Sequence, residues 1–196
     1  MSDIAPGQDT SPLLRTPLYG LHNEQKARMV PFSGWEMPVQ YQGIRAEHDA
    51  VRSQVGMFDI SHMGKFLLTG EGVIAQLQTL VPTDLSSLKP GLAQYTVLLN
   101  DTGGVIDDLI IYLQEPSDDG TEQVVLIVNA ATTDKDRDWL VGHLENVQLD
   151  DVSREEILIA VQGPEAIATL NHVIPGASLD TIPRFGHRTV DVMGNP

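Results

Sequence analysis

A chain of 196 residues, 41% of them hydrophobic, is long enough for one substantial core, or for one domain and part of a second. Its formal charge of −15, with no run of lysine or arginine, makes nucleic acid and anionic membrane poor partners. The absence of cysteine excludes disulfides, thiolate metal sites and a cysteine nucleophile, and no apolar run is long enough to span a bilayer.

Residues 1–14 carry Pro6, Gly7 and Pro12, lack a signal-peptide core and are not arginine-rich. They are expected to form a disordered lead of a soluble cytoplasmic protein. Residues 15–196 form the ordered region. Thr16 reads as an N-cap and Pro17 as the first residue of a helix running to about Ala27. Residues 29–40 mix apolar side chains with Pro31, Gly34 and Pro38, an irregular strand or loop anchored by Trp35. Residues 43–55 place Ile44, His48, Val51 and Val55 near helical spacing, with Gly56 as C-cap.

Residues 57–69 alternate as one strand. Phe58, Ile60, His62, Gly64, Phe66 and Leu68 share one face; Met57, Asp59, Ser61, Met63, Lys65 and Leu67 share the other. Gly64 marks a bulge or a close approach to the backbone. Met63 stands among polar neighbours, where a thioether either packs or touches a flat ligand. His62 reads as a core histidine before it reads as a catalyst. A helix is expected over 71–80, and Pro82 and Pro90-Gly91 bracket the connection that follows.

The sequence YTVLLNDTGGVIDDLIIYLQE, residues 95–115, spells two strands around an Asp-Thr-Gly-Gly turn. Alternation sets Val105, Asp107, Leu109, Ile111 and Leu113 on one face, and Ile106, Asp108, Ile110, Tyr112 and Gln114 on the other. Asp107 is the only polar residue on its face, so it is the carboxylate expected against an apolar layer. Such a group costs several kcal/mol unless paired, hydrogen-bonded or protonated. It therefore serves either structure, as an acceptor or an arginine partner, or chemistry. Asp108 is expected to be solvated or bonded to a loop.

Further strands are expected at 124–128, 147–152, 157–162 and 188–193. Helices are expected from Thr132 or Thr133 to Leu144 and from Gly163-Pro164 to about Val173, and a final turn at 194–196. The six histidines lack HExxH-type spacing, and no metal site is expected. No GxGxxG, P-loop or GxSxG appears. Strands follow short turns without regular βαβ alternation, so the fold class is α+β, mainly antiparallel sheet with flanking helices.

Six blocks in order then carry a family resemblance: TPLYGLH, MVPFSGWEMPVQY, EHDAVRSQVGMFDISHMGK, QYTVLLNDTGGVIDDLIIY, VNAATTDKDRDWL and AVQGPEA. Together they resemble the N-terminal half of the aminomethyltransferases, the T proteins of the glycine cleavage system. The resemblance implies a three-domain fold around a folate channel. It implies tetrahydrofolate as co-substrate, without metal, and the lipoylated H protein as partner, with no nucleic acid or membrane. The implied reaction takes the aminomethyl group from the lipoyl arm, releases ammonia and leaves 5,10-methylenetetrahydrofolate, in glycine degradation. Residue by residue it implies Asp107 as the catalytic carboxylate, and Met63, Tyr95, Asp107 and Asn129 as folate-binding residues.

The family also carries a GYTGE-type segment, tail-binding arginines and a C-terminal domain, expected after Pro196. A truncated chain that binds folate weakly and exposes apolar surface is therefore expected. Two related readings stand beside this one. A folate-binding domain of dimethylglycine or sarcosine dehydrogenases would follow a flavin region, for which the residues before Thr16 leave no room. A non-enzymatic folate-binding relative of iron–sulfur maturation would carry a characteristic cysteine in its second half, and its GGVIDD and SHM blocks would match less closely.

Overall fold

The chain's alternating apolar stretches become two-faced strands, and the computed structural model describes them over residues 12–192. Helix α1 (Tyr19–Glu24) leads into β1 (Arg28–Phe32) and β2 (Trp35–Gln40), and α2 (Ile44–Ser53) follows. Next come β3 (Gly56–Asp59), β4 (Gly64–Gly70), α3 (Val73–Leu77), β5 (Leu92–Leu99), β6 (Val105–Leu113) and β7 (Glu122–Val128). The chain continues through α4 (Thr133–His143), β8 (Val147–Asp151), β9 (Ile159–Gln162), α5 (Ala166–Val173) and a 3-10 turn, Leu179–Thr181. β5-β6-β7-β4-β8 form one antiparallel sheet; β1-β2 and β3-β9 form two smaller antiparallel pairs. The α+β expectation describes this architecture.

One face of the large sheet makes the core. Leu98, Leu109, Ile111, Leu126, Val128, Phe66 and Leu68 are sealed beneath Val73 and Leu77 of α3, the 80–85 connection and Leu140 of α4. Each such side chain contributes about 1.5–3 kcal/mol by leaving water.

The predicted strand over 57–69 is two strands in different sheets. Asp59 Oδ1 accepts from the Ser61 amide (2.9 Å), and the Met63 amide donates to the Ile60 carbonyl (3.0 Å). These bonds turn the chain at 60–63, so β3 pairs with β9 while β4 pairs with β7 and β8. Gly64 is a close approach: a Cβ there would collide with Val128 and lie 2.9 Å from the Thr133 side chain.

Residues 28–40 are a hairpin whose register slips by one residue at Val39, closed by Ser33 (φ 49°) and Gly34 (φ 80°), the two positive dihedrals of a type I′ turn. Trp35 is buried, as expected of an anchor. Leu14 exchanges backbone bonds with Gly34 and Glu36, so it belongs to the ordered region rather than to the lead; residues 1–11 and the turn at 194–196 lie outside the described residues. The first helix is shorter than expected because the Thr16 hydroxyl donates to Asp59 (2.7 Å) instead of capping it. The helix expected over 71–80 closes at Leu77. Residues 188–191 form no strand, for Arg188 turns to the Ala177 carbonyl (2.9 Å) and Thr181 (3.1 Å).

Candidate functional site

The two adjacent aspartates of β6 sit where three strands end beside the start of α4. A hairpin turn delivers them. The Asn100 side chain accepts from the Thr102 amide (3.0 Å), the Thr102 hydroxyl (2.8 Å) and the Gly104 amide (2.8 Å). Leu98 pairs with Asp107 and Leu99 with Val105, which leaves Ile106 as the extra residue of a bulge. The bulge overrides strict alternation: Val105 is 65% exposed, and Ile106 packs against the core. The Ile106 carbonyl is taken by Lys135 Nζ at 2.8 Å.

Beyond the bulge, Asp107 and Asp108 do point to opposite sides. Asp107 lies on the side of Leu109 and Ile111, and both aspartates are half-buried. Asp107 Oδ1 accepts from Asn129 Nδ2 (2.8 Å) and from the Asp108 amide (2.8 Å); Oδ2 accepts from the Thr132 hydroxyl. Partial burial works against its ionisation, yet the bonds from Thr132 and Asn129 outweigh this and hold the carboxyl below its ordinary range. Thr132 is the residue before α4, and its hydroxyl serves Asp107 instead of capping the helix.

Asp108 is not merely solvated. Its Oδ1 accepts from the same Asn129 nitrogen at 2.9 Å, and its Oδ2 accepts from the Tyr95 hydroxyl at 2.9 Å. One carboxamide NH2 therefore spans both acids, a hydrogen for each. The bond to Asp108 raises the Tyr95 phenol above its ordinary pKa.

The register assembles the rest. Tyr95, Ile110, Ile127 and Lys65 are successive partners across β5, β6, β7 and β4. Val97 pairs with Asp108; continuing the β6–β7 and β4–β7 registers by one residue brings Asn129 beside Asp108 and Met63 beside Asn129. Being two residues along each strand, this second row shares a face with the first. Lys65 Nζ, pushed below its ordinary pKa by burial, donates to the carbonyls of Ser61 (2.7 Å) and Met63 (2.9 Å), which fixes the 60–63 turn.

Tyr95, Asp108, Asn129 and Met63 thus share the open face opposite the core, while Asp107 backs them from the α4 side. The sequence reading singled out Asp107 for its apolar neighbours. Those neighbours are the core, and the acid on the open face is Asp108. Thr132 reads in the sequence only as a helix start, and Asp136 not as a site residue at all; their i, i+4 spacing at the start of α4 is the available signal. Apolar floor, phenol and carboxylate suit a flat heterocycle bearing N–H donors. Among the described residues no group of three or more His, Asp or Glu could hold a metal ion. A concavity of about 530 Å³, lined by Trp35, His62, Ala130, Ala131 and Thr133 among others, lies beside the 129–132 loop and includes neither Asp107 nor Asp108.

This arrangement of sheets is similar to that of the glycine cleavage T proteins. The crystal structure of glycine cleavage system aminomethyltransferase T from Bartonella henselae matches with a TM-score of 0.76 and 34% identity, over 85% of this chain and 45% of that one. An aminomethyltransferase of Synechocystis sp. is 58% identical over 177 residues, 90% of this chain and 47% of the relative. One of Nostoc sp. is 55% identical over 194 residues, 97% of this chain and 51% of the relative. The chain spans about half the length of the curated relatives it matches. Residues 18–196 match the family described as the GCVT N-terminal domain, and the chain belongs to that family.

Proposed function

We propose that residues 15–196 are the folate-binding region of an enzyme transferring an aminomethyl group from the lipoyl arm of H protein to tetrahydrofolate. Ammonia leaves and 5,10-methylenetetrahydrofolate forms, in the cytoplasmic degradation of glycine. The observation that carries this reading is the shared open face of Tyr95, Asp108, Asn129 and Met63 in a chain whose relatives bear the name aminomethyltransferase. Among the described residues no helix is long and apolar enough to cross a membrane.

In this reading the pterin ring lies over Ile110, Ile127 and Met63. Asp108 accepts a ring N–H and stabilises the positive charge that develops as the aminomethyl group is transferred. Asn129 and Tyr95 hold that carboxylate in place. Asp107, the acid favoured by the family pattern, acts one bond further back by fixing Asn129. Calorimetric titration of the natural protein with tetrahydrofolate is the test. Unchanged affinity in the Met63→Ala, Asn129→Ala double variant, with the fold intact by circular dichroism, would remove the assignment.

A further inference from the structure

A third acid lies behind the two on β6. Asp136, in the first turn of α4, is fully shielded from solvent. Counted as ionised, neither of its oxygens meets a donor. Burying a carboxylate in that condition is among the most costly arrangements a core can hold. The Asp136 amide donates to the carbonyl of Thr132 (2.9 Å), whose hydroxyl binds Asp107, and this sets Asp136 beside the Asp107 carboxyl, its hydrogen-bond partner once one of the two is protonated.

The surrounding groups offer only weak remedies: the Lys135 charge and the Thr132 hydroxyl favour an ionised Asp136, and burial with the Asp107 carboxyl outweighs both. From the same helix end, the Thr132 hydroxyl is directed to Asp107, and exposed Lys135 binds the Ile106 carbonyl. From the residue after β7, Asn129 Nδ2 is divided between Asp107 and Asp108. Leu140, one turn along α4, is wholly apolar and buried. Two like charges facing each other, one of them fully shielded from water, cannot both persist, so one carboxyl holds a proton.

We infer that Asp136 and Asp107 share a single proton, held on Asp136 and donated to Asp107, and that Asp136 is a positioning residue for the carboxylate cluster. The pair then carries one negative charge. Asp107 stays an acceptor, Asn129 stays aimed at it, and the second hydrogen of that amide stays on Asp108. Burial, with the hydrogen bond and charge of Asp107, pushes the Asp136 carboxyl up to about 7, while Asp107 is held low. Carboxyl pairs split in this way when one proton serves both. The folded state holds a proton that the unfolded chain gives up near the ordinary aspartate value. The stability this contributes is full below that value and is lost as pH rises through about 7. Only the effect on the ligand rests on the function proposed above.

Carbon-13 carboxyl titration of the protein between pH 4 and 9 tests the pair without any ligand. One buried aspartate is expected to titrate near neutrality. Asp136→Asn should abolish that titration and keep the fold, since the amide still donates to Asp107. Asp107→Asn should lower the Asp136 midpoint by about one pH unit or more, because the negative neighbour is gone. Tetrahydrofolate affinity should weaken as pH rises through neutrality in the unsubstituted protein and lose that dependence in Asp136→Asn. An unsubstituted protein with no carboxyl titrating between pH 6 and 8 would overturn the pair. So would a neutral titration that survives in Asp136→Asn. If Asp136→Asn does not fold, the unsubstituted titration and the Asp107→Asn shift still decide. Absence of folate binding at every pH, with the neutral titration present, would remove the proposed function and leave the pair standing.

Discussion

Two regions of this molecule hide aspartates, and they do so in opposite ways. Asp59, at the end of β3, has a side chain only 1% exposed. Its donors nonetheless match its oxygens: Thr16 Oγ1 (2.7 Å) and His22 Nε2 (2.7 Å) on one, the Ser61 amide (2.9 Å) on the other. Burial disfavours its charge, but the bonds from Ser61, His22 and Thr16 prevail and hold its pKa low. Because the carboxylate only accepts, His22 donates to it from Nε2, and its Nδ1 is bonded to the Tyr41 hydroxyl (2.7 Å). Near the start of β6, by contrast, Asp107, Asp108 and Asp136 compete for Asn129, Thr132 and Tyr95, and Asp136 is left without a donor. A saturated carboxylate is a fastening. A cluster with more acceptors than donors, beside an open face, has bonding capacity left for a ligand and a proton.

The strongest way to break this contrast is Asp59→Ala. It leaves Thr16 and His22 buried without their acceptor and should cost about 3–5 kcal/mol, read from urea unfolding. A loss under 1 kcal/mol would show that the network fastens nothing. Next comes Asp108→Asn, expected to lower aminomethyl transfer by ~10²-fold in single turnover with H protein while barely moving the melting temperature. Asp107→Asn should cost less in rate and more in stability, because its carboxylate organises Asn129 and Thr132 rather than facing the open side. A larger rate defect for folded Asp107→Asn would return the reacting role to Asp107.

Gly64→Ala tests the turn that joins the two regions. The added methyl meets Val128 and Thr133, and an overpacked contact of this kind costs about 1–3 kcal/mol. Folate affinity should fall with it, since Met63 and Asn129 flank the contact; a variant as stable and as tight-binding as the original would uncouple turn and site. The smallest effect is expected from Tyr95→Phe, which removes one bond to Asp108. Folate affinity should drop about 3- to 10-fold with no change in melting temperature. No change in affinity would place Tyr95 outside the site.

The sheet was legible in residues 95–128 from its apolar, β-branched runs and the turn between them, and alternation set Leu109 and Ile111 on one face, which is the core face; in the unbroken apolar run at 124–128 it could not separate buried Leu126 and Val128 from Val125 and Ile127. Residues 57–69 show the limit of the same signal. Their alternation runs unbroken across a turn, because Asp59 and Lys65, which bind the turn's backbone, happen to fall on the polar beats. Thr132 likewise reads as a cap, since nothing local says that its hydroxyl will meet an acid 25 residues earlier.

By itself the sequence determined the antiparallel hairpin, the opposition of Asp107 and Asp108, and the ordered blocks that mark the family. Each of these depends on neighbours along the chain or on motif order. Tertiary structure alone decided that the Ile106 bulge resets the strand, that Asp108 rather than Asp107 takes the open face, and that Asp136 stands behind them in need of a proton. A carboxyl group's role depends on how many donors reach it, and donors are delivered by packing between distant segments, which no local periodicity encodes.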